Sequence, residues 1–498
     1  MHRFVVLVVL LLFPALAHAQ SGAASLVAPA WARQAGLERM WFTQISLDRG
    51  RGRIAGLNMH VSANQSHTVV QVTHDGRRYV FSQRDRDAFG KEIGVEGARK
   101  LAEEKVEEIK KELATAGKAD APEPAVETFV VPKITLYASS HRGTVHTLDG
   151  ETGRTLWTTT VGNPLYPTTA PAANERFVSV CNGSTIYVML ATDGSLVWNK
   201  PAIGSPGAGP AMTADLLFVP MVSGQVESLL LEDPRMPVNV YKSFGRTMVQ
   251  PVVSSNSVAW PTDAGNLYVS LANAPGIRFR MQATEAINAA PAFLPPDKVL
   301  AASLDGYVYC VHEQRGNIIW RFTTGERIEQ SPIALGDSAY VISKRGNMYA
   351  IDVPTAAERW VIGGIQSYLA GSEKRLYCLD TRGDLVILDS ATGSRLATIP
   401  GLNADLPLLN TQTDRIFLVS STGLVQALRE TNQPFPLVHY MIEQQQRAAR
   451  PMPKTAPKTG APTTEAPVPA TDPFGAPGLG VPPAAGPPPA AADPFANP

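Results

Sequence analysis

The chain has few cysteines and no excess of either charge, and each shortage excludes a class of protein. Its 498 residues include three cysteines, Cys181, Cys310 and Cys378, too few for a disulfide framework to hold an exported protein of this length together. The 44 basic residues balance the 44 acidic ones, so no global field attracts nucleic acid or an anionic membrane surface. We therefore expect the cysteines to be small apolar core residues and the partner not to be a polyanion.

Long apolar runs are also missing. The run Phe4–Phe13 in MHRFVVLVVLLLFPALAHAQ is well short of the ~20 residues that span a bilayer. A basic start precedes it, and Ala17 and Ala19 occupy the positions that a signal peptidase reads. The sequence predicts a signal peptide over residues 1–19, export to the periplasm, cell envelope or exterior, no transmembrane span after its removal, and no cysteine there for a lipid anchor.

Glycines recur through the middle of the chain with a period of 37 to 41 residues. They are Gly143, Gly183, Gly224, Gly265, Gly306, Gly346, Gly383 and Gly423. A period of about 40 residues built from short strands is typical of a β-propeller with one blade per repeat. The eight glycines predict an all-β, eight-bladed propeller over residues 119–445, with the eighth blade completed by another part of the chain.

The first repeat, GTVHTLDGETGRTLW, predicts what its recurrent residues do. Gly143 tolerates the positive φ of a hairpin turn, Asp149 can accept hydrogen bonds from the next turn, and Gly153 supplies that turn's left-handed residue. Trp157 opens the following strand. Comparable aromatic residues recur at Trp198, Phe279, Trp320 and Trp360. A large ring at one place in successive repeats is expected to pack between blades, so we assign these residues structural roles.

The repeat G-x-L/V-Y-A-L/I-D-x-x-T-G-x-x-x-W resembles the PQQ-type propeller repeat, which quinoprotein dehydrogenases share with the BamB family of outer-membrane assembly factors. The resemblance covers roughly residues 125 to 430. It implies the propeller fold, and it leaves the chemistry open because dehydrogenases and assembly factors share it.

Residues 20–118 are predicted to be an N-terminal segment with strands and an amphipathic helix, and residues 31–118 do not follow the repeat. The strand MWFTQISL at Met40 is expected to pair with the first or last blade, because closure removes an open sheet edge. Residues 68–83 predict a hairpin closed near Asp75-Gly76. A helix with Ala98, Ala102, Val106, Ile109 and Leu113 on one face should follow and end at Gly117, and the stretch KADAPEPAVE after it reads as a linker.

Residues 446–498 are rich in Pro, Ala, Gly and Thr, a composition that predicts a disordered tail because it cannot bury enough apolar surface. Two similar islands, TDPFGAP and ADPFANP, interrupt it. Phe474 and Phe495 are therefore possible anchors of a docking peptide. A spacer or tether with incidental aromatic residues is the alternative.

Three functions remain open. The first is a non-enzymatic scaffold that binds envelope or outer-membrane proteins, as the BamB resemblance implies; it needs no cofactor and no catalytic residue. The second is a PQQ-dependent dehydrogenase with Ca²⁺, although the chain has neither adjacent cysteines nor a C-x-x-C-H haem segment. The third is a structural envelope component tethered by its tail. His60, His67 and His74 alternate faces and are not expected to form a metal site.

Overall fold

The computed structural model describes residues 25–47, 52–115, 123–235, 239–402 and 404–439. The predicted signal peptide, the predicted tail with Phe474 and Phe495, and the predicted helix end at Gly117 lie outside these residues. The chain divides into two units, residues 1–447 and 448–498, and everything described below belongs to the first.

The described residues form two helices and thirty-three strands. The helices are α1 (Pro29–Gln34) and α2 (Gly94–Thr115). The strands are β1 (Leu37–Gln44), β2 (Ile54–His74), β3 (Arg77–Ser82), β4 (Ala125–Ser140), β5 (Thr144–Asp149), β6 (Thr155–Thr160), β7 (Ala172–Ala173), β8 (Phe177–Asn182), β9 (Thr185–Leu190), β10 (Leu196–Pro201), β11 (Ala211–Met212), β12 (Leu216–Pro220), β13 (Gln225–Leu230), β14 (Asn239–Lys242), β15 (Val252–Val253), β16 (Ser257–Pro261), β17 (Asn266–Leu271), β18 (Ile277–Gln282), β19 (Ala292–Leu294), β20 (Lys298–Ala302), β21 (Tyr307–His312), β22 (Ile318–Thr323), β23 (Ile333–Leu335), β24 (Ser338–Ile342), β25 (Met348–Asp352), β26 (Glu358–Ile362), β27 (Ile365–Gly371), β28 (Arg375–Asp380), β29 (Leu385–Asp389), β30 (Arg395–Ile399), β31 (Leu406–Pro407), β32 (Ile416–Val419) and β33 (Leu424–Glu430).

These strands form eight antiparallel sheets that follow one another along the chain, the number that the recurrent glycines predict. Blade 1 contains β2–β6 in the order β3-β2-β4-β5-β6; blades 2 to 7 take four consecutive strands each, from β7 to β30; blade 8 combines β31–β33 with β1. The second and third strands of each blade are buried almost throughout, because each blade is covered on both faces by its neighbours. The fold is an all-β propeller.

Blade 8 is closed by the N-terminal strand. β1 pairs antiparallel with β33, from Leu37 opposite Glu430 to Gln44 opposite Leu424, which confirms the prediction for MWFTQISL. Trp41 then packs in one apolar cluster with residues of blades 8 and 1. The first and last strands of the propeller thus lie in one sheet, and β1 covers the edge of β33 that would otherwise be unpaired.

The described strands of the N-terminal segment belong to the blades at the two ends of the ring, so the predicted boundary near residue 118 does not separate that segment from the propeller. β1 is the outer strand of blade 8, and the first part of β2 pairs with residues 134–140 of β4 as the innermost strand of blade 1. The apolar residues of these two strands follow the same burial pattern as those of the blades. The insertion therefore lies within blade 1, between its first and second strands.

The remaining part of the insertion is a three-stranded extension of blade 1, in the order β3-β2-β4, with α2 packed on one face. β2 and β3 form the predicted hairpin, whose turn residues Asp75 and Gly76 both have positive φ. Ala98, Ala102 and Ile109 of α2 are buried against β2 and β3. The predicted linker is shorter than expected, because β4 already begins at Ala125. No helix in the described part of the chain is both long and apolar enough to cross a membrane.

Candidate functional site

The recurrent residues of the first repeat lie in its two hairpin turns. Gly143, between β4 and β5, has φ +96°, and a Cβ there would fall 2.1 Å from the carbonyl oxygen of Val161. Asp149 accepts the backbone N–H groups of Glu151 and Thr152 at 3.0 and 2.9 Å. These turns are built by backbone requirements, and they present no reactive group.

The recurrent tryptophans join each blade to the next. The indole N–H of Trp157 donates to the carbonyl oxygen of Ala191 in blade 2, at 2.9 Å. The other predicted tryptophans, Trp198, Trp320 and Trp360, donate in the same way to Leu231, Val353 and Ser390 of the following blades, at 2.7, 2.8 and 3.1 Å. Each of the four tryptophans therefore links its own blade to the following one, so other residues must form any ligand-binding surface.

Sequence reasoning missed Trp41, which does the same at the closure of the ring. Its indole N–H donates to the carbonyl oxygen of Gly150 in blade 1 at 3.0 Å, and its ring covers Gly153. The segment GLERMWFTQI has the aromatic position of a repeat outer strand, but its turn glycine, Gly36 with φ +72°, stands five residues before Trp41, whereas Gly153 stands four before Trp157. That aromatic position is the signal that could have identified it.

An exposed apolar surface lies on one face of the propeller. On this face emerge the glycine turns and the connections from each blade to the next. Three successive connections, from blade 1 to blade 4, expose large apolar side chains there. These residues are called the apolar patch: Leu165 (86% exposed), Tyr166 (57%), Ile203 (49%), Phe244 (69%) and Met248 (52%). Large apolar side chains gathered on neighbouring exposed loops are typical of protein-binding surfaces.

Buried polar side chains hold the apolar patch in place from below. The carboxylate of Glu227, fully buried in blade 3, accepts the backbone N–H of Ile203 at 3.0 Å. The hydroxyl of Tyr268, in blade 4, accepts the backbone N–H of Phe244 at 2.9 Å. Glu227 and Tyr268 both stand three residues after the turn glycine of their repeats. The patch is thus preorganised, which lowers the entropy lost when a partner binds.

The connection from blade 1 to blade 2 is fixed by one asparagine. Asn182, buried in blade 2, accepts the backbone N–H of Asn163 at 2.8 Å. Its amide group donates to the carbonyl oxygen of Tyr166 and the hydroxyl of Thr168, both at 3.0 Å. The loop that carries Leu165 and Tyr166 is therefore bound to the blade on both sides of those residues.

The other half of the same face is charged. Ion pairs join the turns and connections of blades 5 to 7: Lys344 with Glu329 at 2.6 Å, Arg345 with Glu326 at 3.7 Å, Arg327 with Glu285 at 3.9 Å and Arg382 with Asp384 at 3.7 Å. The Lys and Arg partners of these pairs are exposed, so the pairs contribute little to stability. One further ion pair, Arg246 with Asp263 at 2.7 Å, stands between Phe244 and Met248 in the apolar half of the face.

A cavity of about 460 Å³ opens on this face at the propeller axis. Met248 of the apolar patch lies on its rim, and blades 4 to 8 contribute the rest of its lining. The polar lining residues are Gln250, Asn288, Glu329, Gln330, Ser331 and Ser367. Gln250 crosses to blades 2 and 3, where it donates to the carbonyl oxygens of Pro171 and Pro210 at 3.3 and 2.7 Å.

This lining does not fit the quinone cofactor of the dehydrogenase hypothesis. A quinone that carries several carboxylates needs cationic partners, and the described residues that line the cavity include Glu329 but neither Lys nor Arg, while Lys344 beside them is paired with Glu329 at 2.6 Å. Within the described ranges, no three His, Cys, Asp or Glu residues are grouped to hold a metal ion. The three cysteines are free and buried, and burial raises the pKa of Cys181 and Cys310 to about 12.

Comparison with known proteins identifies relatives. The family model of outer membrane protein assembly factor BamB matches residues 121–236 and 255–404, more than half of the chain. Two curated proteins of that name are similar: that of Shewanella oneidensis is 24% identical over 246 residues, 43% of this chain and 60% of the relative. That of Yersinia pestis is 18% identical over 284 residues, 52% of this chain and 63% of the relative. The chain thus spans about three fifths of the length of these relatives.

Solved structures share the fold at low sequence identity. The crystal structure of BamB from Moraxella catarrhalis superposes with a TM-score of 0.51 and 16% identity, covering 60% of this chain and 92% of that one. The computationally designed Ika8 protein superposes with a TM-score of 0.50 and 14% identity, covering 59% and 92%. In each case the similarity concerns the propeller fold.

Proposed function

Because the chain belongs to the family of outer membrane protein assembly factor BamB, we propose that it is a protein-binding scaffold of the bacterial envelope that supports the assembly of outer-membrane proteins. Its work is binding rather than catalysis, and it uses no quinone or metal. The names of its relatives support this role, since both curated proteins are assembly factors. Export by the predicted signal peptide is part of the same proposal.

The apolar patch is the observation that carries the proposal. Phe244 and Ile203 are presented on loops whose own backbone N–H groups are held by Tyr268 and Glu227. Hydrophobic side chains in fixed positions supply most of the free energy at protein interfaces. The ion pairs on the other half of the face give a partner a polar border against which it can orient.

The experiment replaces the patch while leaving the fold intact. In a bacterium that lacks its own member of the family, the wild-type chain is expected to raise the amount of folded outer-membrane β-barrel protein. The double variant Ile203→Ser/Phe244→Ser should lose most of that effect. The matched control is Val361→Ser/Leu396→Ser, because Val361 (50% exposed) and Leu396 (52%) lie on outer strands of blades 6 and 7.

Thermal melting of both double variants checks that the propeller is folded. Restoration by the control and not by the patch variant supports the proposal. If both double variants restored the folded β-barrel protein equally, the apolar patch would not be the binding surface. If the wild-type chain itself did not restore it, the proposed assembly function would be wrong. The tether hypothesis concerns residues 446–498 and stays a prediction.

A further inference from the structure

The extension of blade 1 has an unpaired strand edge. Residues 125–132 of β4 pair with β2 on one side. On the other side, β5 pairs only with residues 135–139, and in the described chain no other strand pairs with residues 125–132. An open edge is a template for another strand.

The backbone groups on this edge can be assigned from the alternation of a strand. The carbonyl oxygen of Ile134 accepts the N–H of Gly150 on the β5 side. Because successive peptide groups point to opposite sides of a strand, Val126, Thr128 and Val130 direct their N–H and C=O groups to the same side. On the N-terminal side of Ile134 no described strand pairs with this side of β4. Three N–H donors and three C=O acceptors therefore face outward.

Two apolar side chains beside the edge are uncovered on the face that carries α2, whereas Phe129 packs on Phe435 with 5.1 Å between the ring centroids. α2 packs on β2 and β3, and Val126 (53% exposed) and Val130 (63%) remain on the same face of β4. Natural edges are commonly blunted by charged side chains or proline. Over residues 125–131 this edge carries a single charged residue, Glu127, and prolines stand only at its two ends, Pro124 and Pro132.

The edge is complementary to itself. When two copies of EPAVETFVVPK, residues 123–133, run antiparallel with Thr128 opposite Thr128, Val126 of one copy meets Val130 of the other. Proline then faces proline at both ends. Glu123, which is exposed, comes opposite Lys133, which is half-buried and whose ammonium group donates to Oε1 of Gln65 at 3.0 Å. Opposite charges and paired β-branched side chains both favour such cross-strand contacts.

We propose that a second copy of this chain occupies the edge, so that two extensions form one six-stranded sheet in the order β3-β2-β4-β4-β2-β3. The interface is isologous, since each copy contributes the same residues. The antiparallel pairing places the two propellers at opposite ends of the shared sheet. The apolar patch of each copy lies on its propeller and takes no part in the dimer.

Sedimentation of the full mature chain tests the proposal. A single strand pairing is small compared with a standard interface, so dimers should form reversibly across about 1 to about 200 µM protein. Thr128→Lys puts two like charges opposite each other and should weaken association at least about tenfold. Val80→Lys is the matched control, because Val80 lies on β3, the other edge of the same sheet, and is 41% exposed.

A charge swap and a crosslink test the register. Glu123→Lys and Lys133→Glu should each weaken association, and the double variant should restore it. Thr128→Cys should form a disulfide between copies, because paired residues of antiparallel strands have Cα atoms about 5.5 Å apart; Val80→Cys should not. A chain that stays monomeric throughout, or a dimer that Thr128→Lys leaves unchanged, would overturn the proposal.

Discussion

At the scale of residues, glycines with the same backbone conformation have different roles. Gly76, in the hairpin of the extension, has φ +72°, and Gly153, in blade 1, has φ +70°. A Cβ on Gly76 would meet nothing within 4 Å, whereas one on Gly153 would fall 2.3 Å from Cε3 of Trp41. The first glycine serves only its turn, and the second also provides the surface on which a tryptophan of another blade rests.

Gly153→Ala is therefore expected to destabilise the propeller more than Gly76→Ala. Each substitution destabilises the fold by about 1–2 kcal/mol because alanine must adopt a left-handed backbone conformation. Gly153→Ala destabilises it by about 1–3 kcal/mol more because its Cβ displaces the indole ring of Trp41. Chemical denaturation of the two variants gives the comparison. Equal losses would show that Trp41 moves aside without cost.

At the scale of elements, the outer strands share an irregularity that positions the aromatic residue. In seven of the eight outer strands the pairing register shifts immediately before the aromatic position or its equivalent, as between Leu196 and Trp198; β14 is regular. A bulge redirects side chains. It leaves Leu156 exposed while the adjacent Trp157 is buried against blade 2.

Trp157→Ala should lower the free energy of unfolding by about 3–5 kcal/mol, as for other large-to-small changes in a core. The adjacent Leu156→Ala is the control and should change it by less than about 0.5 kcal/mol, since Leu156 is 41% exposed. Urea denaturation measures both. Similar losses for the two variants would contradict the assignment of Trp157 to blade packing.

Tyr268→Phe tests whether the connections are held by the blades beneath them. The variant removes the hydroxyl that accepts the N–H of Phe244, so hydrogen exchange at that amide should accelerate about fivefold, which corresponds to the loss of one hydrogen bond of about 1 kcal/mol. Tyr349→Phe is the control, because Tyr349 donates to Thr324 in another connection. Unchanged exchange at Phe244 in the first variant would show that the loop is held by other contacts.

At the scale of the whole molecule, the ring closes around a buried charge cluster between blades 8 and 1. Arg415 is fully buried, and its Nε and Nη2 atoms lie 3.1 and 3.3 Å from the carboxylate oxygens of Glu151. Asp414 beside it is also buried, and one of its oxygens has no partner. Burial raises the pKa of Asp414 to about 6, against the opposing effect of Arg415.

This raised pKa predicts the pH dependence of ring stability. Between the two pKa values, Asp414 is protonated in the folded chain, whereas in the unfolded chain, with a pKa near 3.8, it has already released its proton. The stabilisation of the folded state by this proton is therefore present at low pH and is lost as pH rises through about 6. The free energy of unfolding of Asp414→Asn should match that of the wild type near pH 3, below the unfolded pKa. Near pH 7.5 the free energy of unfolding of the variant should exceed that of the wild type by up to about 3 kcal/mol. A difference independent of pH would place the titration elsewhere.

The sequence by itself determined the propeller, its number of repeats and the roles of the turn residues. It could do so because Gly143, Asp149 and Gly153 act through local backbone geometry, which a short motif encodes. The strand at Met40 could also be assigned to ring closure, since an unpaired edge of the ring requires a strand.

Only the tertiary structure decided where the candidate binding site and the open edge lie. Leu165, Ile203 and Phe244 are separated by about 40 residues each, and they share one surface because successive blades place equivalent connections side by side. The edge of β4 is open because α2 and β3 pack toward β2 instead. Such features depend on which elements pack together, and the pattern within a single repeat does not contain that information.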